Sequence, residues 1–350
     1  EVTLATDNTN AIVGMFSGRD LQIFTKGGEF FLPQSSLDPI TPSNVVINGA
    51  TRRGAKEGIK PVGAESGTLF IQRAGKALRE FLFSDVELSY ISNNISLLSS
   101  HLLKNPTDMA LRKATSTTDG DLLLLVNATD GSLATYSILR GQNVIAPSLS
   151  TTDGTFEKVG VDVDQIYFVI KRTISSSTKY YVECFNDDNT TDSSKLLSGG
   201  SKPSTTTVTG LSHLEGKTVK VIADDSMQND KTVSSGQITL DAVPTTYVEI
   251  GLDYTPEVKT LPVELKLSSG NIVAQKKRII EATCNLYLSQ NLTLNGKDFL
   301  FTVGSGQFFT GKKRRKPMLG FDREGQMTFS QSSPLFFTLL GVEYKVSVGQ

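Results

Sequence analysis

With 350 residues, 38% of them hydrophobic and 20% charged, the chain can bury a sizeable core and fits two or three structural units. A formal net charge of -1 excludes a global basic field for nucleic acid or anionic lipid, so any such contact has to be local. Cys184 and Cys284 are too few for a disulfide framework or a cysteine-built metal site, and reduced thiols are expected.

The chain has no Trp and is rich in Ser, Thr, Asn and Gly, a composition that leans toward strands and turns. Its longest apolar runs, Leu122–Val126 and Leu335–Leu340, are far too short for a spanning helix, so no membrane-spanning segment is expected. The opening "EVTLATDNTN" has no initiator Met, basic n-region or apolar h-region, and is read as a processed or truncated start.

In chain order, pairs of apolar runs joined by short polar turns predict antiparallel hairpins. Leu21–Thr25 and Glu29–Leu32 flank "KGG", and Thr68–Gln72 and Ala77–Phe83 flank "AGK". Leu122–Asn127 and Ser132–Leu139 flank "TDG", and Gln165–Ile174 and Thr178–Phe185 flank "SSS". The turn centres at 27, 75, 130 and 176 are 48, 55 and 46 residues apart, the spacing of β-propeller blades. "NNISLLSSHLLK" interrupts the pattern with Ile95, Leu98 and Leu102 at helical spacing behind Asn93 and Asn94, predicting one short helix.

"STTDG" occurs at Ser116–Gly120 and again at Ser150–Gly154. Asp-Gly suits a tight turn, because the Asp side chain bonds nearby backbone and Gly accepts positive φ. The motif therefore reads first as punctuation of the fold. "TTDGTF" at Thr151–Phe156 also has the order of an Asp-box of sialidase propellers, itself usually structural.

From about Asn186 to Thr209 the chain is polar and linker-like, and a compact β pattern with "GKTVKVIADD" and "GQITL" runs to Leu240. Val263–Leu267, Ala282–Leu288, Phe299–Val303, Met327–Phe329 and Phe336–Val348 are the later strand candidates. The expected fold is all-β: β-propeller-like blades over 1–185, a linker with a small inserted β domain over 186–245, and a C-terminal β region over 246–350 completing the propeller or a platform.

His101 and His213 have no "GxSxG" elbow beside them and read as packing or surface histidines, while "HLEG" lacks the second His of a zinc-protease motif. Carboxylates cluster at Asp162/Asp164, Asp187/Asp188 and Asp224/Asp225. In "VDVD" the acids alternate with Val on an expected strand, and a solvated strand face is the first reading, a glycosidase pair the sharper one. "NDDNTTD" at Asn186–Asp192 offers oxygen ligands for calcium but lacks the Gly and terminal Glu of an EF-hand loop. The sharpest charge feature is "GKKRRKP", where Lys312, Lys313, Arg314, Arg315 and Lys316 stand between Gly and Pro, with "QKKR" at Gln275–Arg278 a shorter second run. It reads as a solvated turn or as a contact for phosphate or an acidic partner.

Several segments together resemble the tail nozzle proteins of short-tailed bacteriophages, also called tail tubular protein B or phage stabilisation proteins. They are "SGRDLQIFTKGGEFFL" (Ser17–Leu32), "ITPSNVVINGATRRG" (Ile40–Gly54) and "GTLFIQRAGKALREFLFS" (Gly67–Ser84) with "ISLLSSHLL" after it. Later come "GLSHLEGKTVKVIADD" (Gly210–Asp225), "SSGQITL" and "VEIGLDYTPEVKTLPVEL" (Val248–Leu265). The resemblance implies a structural virion protein of the tail, assembled in the host bacterial cytoplasm, without catalytic motif or cofactor. It implies a homo-oligomeric ring of six subunits that docks on adaptor and portal proteins, meets tail fibres, and retains and then passes double-stranded DNA held transiently and non-specifically in its lumen. On this reading Lys312–Lys316 meets an acidic neighbouring subunit or fibre. The rival readings are a carbohydrate-binding propeller with aromatic platforms, and a glycosidase using Asp162 or Asp164.

Overall fold

The computed structural model describes residues 10–33, 39–65, 67–116, 119–264, 266–267, 270–271, 275–301, 304, 306–316 and 320–349. Among these the regular structure is strand, with four single turns of 3₁₀ helix and no α-helix. The chain divides into two compact units, 1–185 and 186–350.

The first unit is a succession of small antiparallel meanders. Sheet one is β1 (Ile12–Ser17), β2 (Leu21–Thr25), β3 (Glu29–Leu32) and β4 (Asn48–Thr51). Sheet two is β5 (Val62–Gly63), β6 (Thr68–Ile71), β7 (Leu78–Ser84) and β8 (Ser89–Asn94). Sheet three is β9 (Pro106–Arg112), β10 (Asp121–Asn127), β11 (Leu133–Leu139) and β12 (Val144–Ser150). Sheet four has three strands, β13 (Thr155–Asp162), β14 (Gln165–Ile174) and β15 (Ser177–Cys184). Each strand pairs with its neighbours in sequence, the propeller-like pattern that the hairpin spacing predicts.

Three separate cores lie between consecutive sheets. Phe24 and Phe31 of sheet one meet Phe70, Phe81 and Tyr90 of sheet two, with the Phe81 and Tyr90 rings stacked at 4.6 Å. Leu69, Ile71 and Leu78 of sheet two pack on Leu123, Leu125 and Tyr136 of sheet three. Leu124, Val126 and Leu133 then pack on Phe156, Phe168 and Ile170 of sheet four. The uninterrupted "LLLLV" of β10 follows directly: successive side chains point to opposite faces, and both faces of this strand are covered.

The two "STTDG" segments end on glycines with one shared constraint. A Cβ on Gly120 would lie 2.7 Å from the Ile138 carbonyl oxygen, and one on Gly154 2.3 Å from that of Lys171. In both places the acceptor belongs to the residue paired with the first residue of the following strand, Asp121 or Thr155. Gly154 also has φ of +146°. The backbone approach requires glycine, and Phe156 of the second copy is buried edge-on against Phe168 at 5.1 Å. The second copy is punctuation of the fold; Thr117 and Thr118 of the first lie outside the described residues. Gly154→Ala is expected to cost about 1–3 kcal/mol of stability in a denaturant titration, because the clash is with backbone.

The expected helix at "NNISLLSSHLLK" is not formed. β8 runs through Asn94, turns follow, and only Ser100–Leu102 makes a 3₁₀ turn. Leu97 and Leu98 are exposed, so the apolar spacing does not describe a buried face. Ser96 instead ties the turn down, its Oγ accepting from the Leu78 N–H at 2.9 Å and donating to Asn94 Oδ1 at 3.0 Å, a local competition that disfavours helix.

In the second unit, a sheet joins strands Asp192–Ser198, Tyr247–Leu252, Thr218–Ala223 and Ser226–Met227, with Lys231–Thr232 also paired to Thr218–Ala223. Its core includes Val219, Val221, Val248 and Ile250, so this small β region extends through Leu252. Farther on, a central strand Lys277–Ser289 pairs on one side with Phe309–Arg315 and on the other with Thr338–Val348. One face of that three-stranded sheet buries Ile279, Ala282, Cys284 and Leu286 with Phe329 and Leu294. The strand candidate Phe299–Val303 is not a strand over its described residues, and Thr302 and Val303 lie outside them.

Candidate functional site

The basic run does not form a turn. Gly311 to Arg315 lie within the strand Phe309–Arg315, and strand alternation splits the cations between two faces. Lys312, Arg314 and Lys316 are exposed, whereas Lys313 and Arg315 turn toward aromatic rings. The Lys313 ammonium stands 4.8 Å from the Phe301 ring centre and 4.5 Å from that of Phe309, and donates to the Leu300 carbonyl. Partial burial pulls the Lys313 amine below its ordinary value. The Arg315 guanidinium lies 5.7 Å from the Phe299 ring centre. Two of the five expected contact residues are thus structural supports, and Pro317 lies outside the described residues.

The exposed cations are joined by residues from both neighbouring strands. Pairing sets Asn285 opposite Lys312 and Thr283 opposite Arg314 on one side, and Gly341 opposite Asn285 and Glu343 opposite Thr283 on the other. Further along, Glu281 pairs with Lys345 and Arg278 with Ser347. The solvent-facing surface carries Arg278, Lys312, Arg314, Lys316 and Lys345 against two carboxylates, Glu281 and Glu343. Lys312 Nζ donates to Glu343 Oε1 at 2.8 Å, and this contact, with help from Arg314, lowers the Glu343 carboxyl. Arg278 closes the second basic run, whose neighbour Lys277 is buried and donates to the Val263 carbonyl. Lys345 and Glu343 have a legible signal in "GVEYKVSV", where polar residues alternate with Val342, Tyr344 and Val346.

The carboxylate pairs do not make a catalytic constellation. Asp162 ends β13, and Val163–Asp164 is the turn to Gln165 of β14, so "VDVD" does not place both acids on one strand face. Asp187 and Asp188 are exposed in a turn, where Asn186 Oδ1 accepts the Asp188 N–H at 2.9 Å. Asp224 is an acceptor hub, taking hydrogen bonds from the N–H and hydroxyl groups of Thr245 and Thr246 and from the Tyr247 N–H. Those donors hold it well below the usual carboxylate range against the opposing effect of burial. Asp225 accepts from the Tyr247 hydroxyl at 2.7 Å.

The calcium reading of Asn186–Asp192 meets a different use of that segment. The N–H groups of Thr190 and Thr191 donate to buried Glu249 at 2.9 and 2.7 Å. Among the described residues no group of three or more His, Cys, Asp or Glu could hold a metal ion. His101 is exposed in its 3₁₀ turn, and His213 Nε2 lies 3.2 Å from the Ser193 carbonyl oxygen. Cys184 is exposed and Cys284 buried, both as free thiols. No described helix is long and apolar enough to cross a membrane.

No protein-family model matches the chain, and no curated relative is found. Among solved structures it is similar to three of an exo-β-1,3-galactanase from Phanerochaete chrysosporium. Two hold β-1,3-galactotriose, at 10% and 9% identity, covering 95% and 96% of this chain and 78% and 95% of theirs, with TM-scores of 0.24 and 0.26. The third holds galactose, at 8% identity over 92% of this chain and 78% of the other, with a TM-score of 0.23. At these values the likeness carries no activity to this chain.

Proposed function

We propose that the chain is a subunit of a ring-shaped tail nozzle of the short-tailed phage kind, working through assembly rather than turnover. The ring would dock on adaptor and portal rings, meet tail fibres, and retain and then pass double-stranded DNA. Beyond the sequence resemblance, the observation that supports an assembling subunit is β15. Three sheets in a row have four strands, and the fourth stops at three with an eight-residue edge. β12, the corresponding edge of sheet three, carries Pro147, which limits strand addition. β15 has no proline. It exposes Tyr180 and Val182 at 63% and 75%, and Tyr167 on β14 continues the same apolar face. An edge strand that has no partner among the described residues and exposes Tyr180 and Val182 is a surface for a neighbouring subunit's strand.

The test is the double variant Tyr180→Asp/Val182→Asp, mixed with adaptor rings and followed by sedimentation. Loss of co-sedimentation with an unchanged melting temperature is expected; full retention would remove β15 from the interface. A second reading is favoured by the same face, since Tyr167 and Tyr180 are exposed aromatic platforms of the kind that sugars stack on. A glycan array in which binding disappears with Tyr180→Ala would move the assignment to a carbohydrate-binding virion protein.

A further inference from the structure

We infer that the exposed face of the three-stranded sheet formed by Lys277–Ser289, Phe309–Arg315 and Thr338–Val348 binds the phosphate backbone of a double-stranded nucleic acid without reading its sequence. Same-face residues on a strand repeat about every 6.6 Å and neighbouring strands are about 4.8 Å apart, so five cations share a face roughly 20 Å by 10 Å. They stand against two carboxylates in a chain whose overall charge is -1, so the positive potential is concentrated here.

The chemistry between the cations decides the class of partner. A protein interface has an apolar centre with buried aromatic anchors. Here the positions between Lys312, Arg314 and Glu343 are Asn285, Thr283 and Gly341, and Thr310 extends the row of the outer strand, while the exposed apolar side chains Tyr287 and Leu340 lie beyond Asn285 and Gly341 and Ile280 stands beside Glu281, so no apolar cluster fills the centre between the cations. Amides and hydroxyls interleaved with Lys and Arg are the groups that contact phosphate oxygens. Among the described residues the sheet presents a face, with no helix or β-ribbon shaped to enter a groove, which suits phosphate contact rather than reading of base edges. Stacking of Lys313 and Arg315 on the Phe rings below fixes the strand that presents the outer cations.

The two carboxylates give this site a sign that a mere solvated surface lacks. Glu343 holds Lys312 at 2.8 Å and competes with a phosphate for it. Removing that carboxylate should therefore tighten binding. This inference does not depend on ring formation.

The experiment is fluorescence anisotropy of a labelled duplex of about 30 base pairs with the full chain, between about 50 and 200 mM salt. Saturable binding is expected, with log K falling against log salt at a slope of about -3 to -4, because each neutralised phosphate contributes about -0.9. Lys312→Glu/Arg314→Glu should weaken binding at least about tenfold and make the slope shallower by about 2, while Glu343→Gln should tighten it about twofold or more. Circular dichroism of each variant checks the fold. No binding at about 50 mM salt, or a charge-reversal variant that binds like the parent, would overturn the inference. So would polyglutamate displacing the duplex more effectively than heparin, which would assign the face to an acidic protein.

Discussion

Replacing Glu183 by alanine is expected to remove about 3–5 kcal/mol from the stability of the first unit. The reason is Arg172, whose side chain is only 2% exposed on the core face of β14. Its Nε and Nη2 donate to the two Glu183 carboxylate oxygens at 2.7 Å each, and its Nη1 donates to the Asp153 carbonyl at 2.8 Å. The fork geometry satisfies the guanidinium on three sides. Without the carboxylate a buried positive charge remains, and arginine cannot escape by losing its proton. The double change Arg172→Met/Glu183→Leu is expected to recover most of the loss, since it removes both charges while keeping volume. Urea titrations of the full chain, following the transition of this unit, measure both. A single-variant loss below about 1 kcal/mol would place the pair among surface ion pairs instead.

Glu249→Ala is the second large effect, about 3 kcal/mol in the second unit. Glu249 is 2% exposed in the strand Tyr247–Leu252, and it is the acceptor for the N–H and hydroxyl groups of both Thr190 and Thr191. Alanine leaves those donors without an acceptor and opens a cavity. Glutamine keeps one acceptor oxygen and should lose less. Burial raises the Glu249 carboxyl above its ordinary value of 4.5, outweighing the hydrogen bonds that lower it. The folded chain therefore binds this proton more tightly than the unfolded chain. Stability contributed by the site is greatest below the unfolded carboxylate value and falls as pH rises through the raised folded value. Glu249→Gln should flatten that part of the stability profile, as measured by urea midpoints across the acid range.

The parts of this fold that were legible in the sequence are those where one local rule decides. The run "LLLLV" needs a strand covered on both faces, and the hairpin spacing follows from meanders of similar size. "STTDG" was readable as a turn, though the particular carbonyl that forbids a Cβ at Gly154 belongs to β14, residues away in sequence. The helix at Ile95–Leu102 failed because spacing alone cannot distinguish a buried stripe from exposed Leu97 and Leu98. The basic face was half legible. Five consecutive cations were conspicuous, but their division into three outward and two stacked residues requires knowing that the segment is a strand. Arg278 and Lys345 join the face only through pairing register, which sets Glu281 opposite Lys345 and Arg278 opposite Ser347, far apart in sequence and in no local pattern.

A nozzle subunit has to assemble into a ring. Two-dimensional class averages of negatively stained particles, from the chain alone and after mixing with candidate portal and adaptor rings, test it most directly. Six-fold rings with a central opening are expected, free or seated on the adaptor. Particles that stay single in both preparations would contradict it and bring glycan binding by the Tyr167 and Tyr180 face forward.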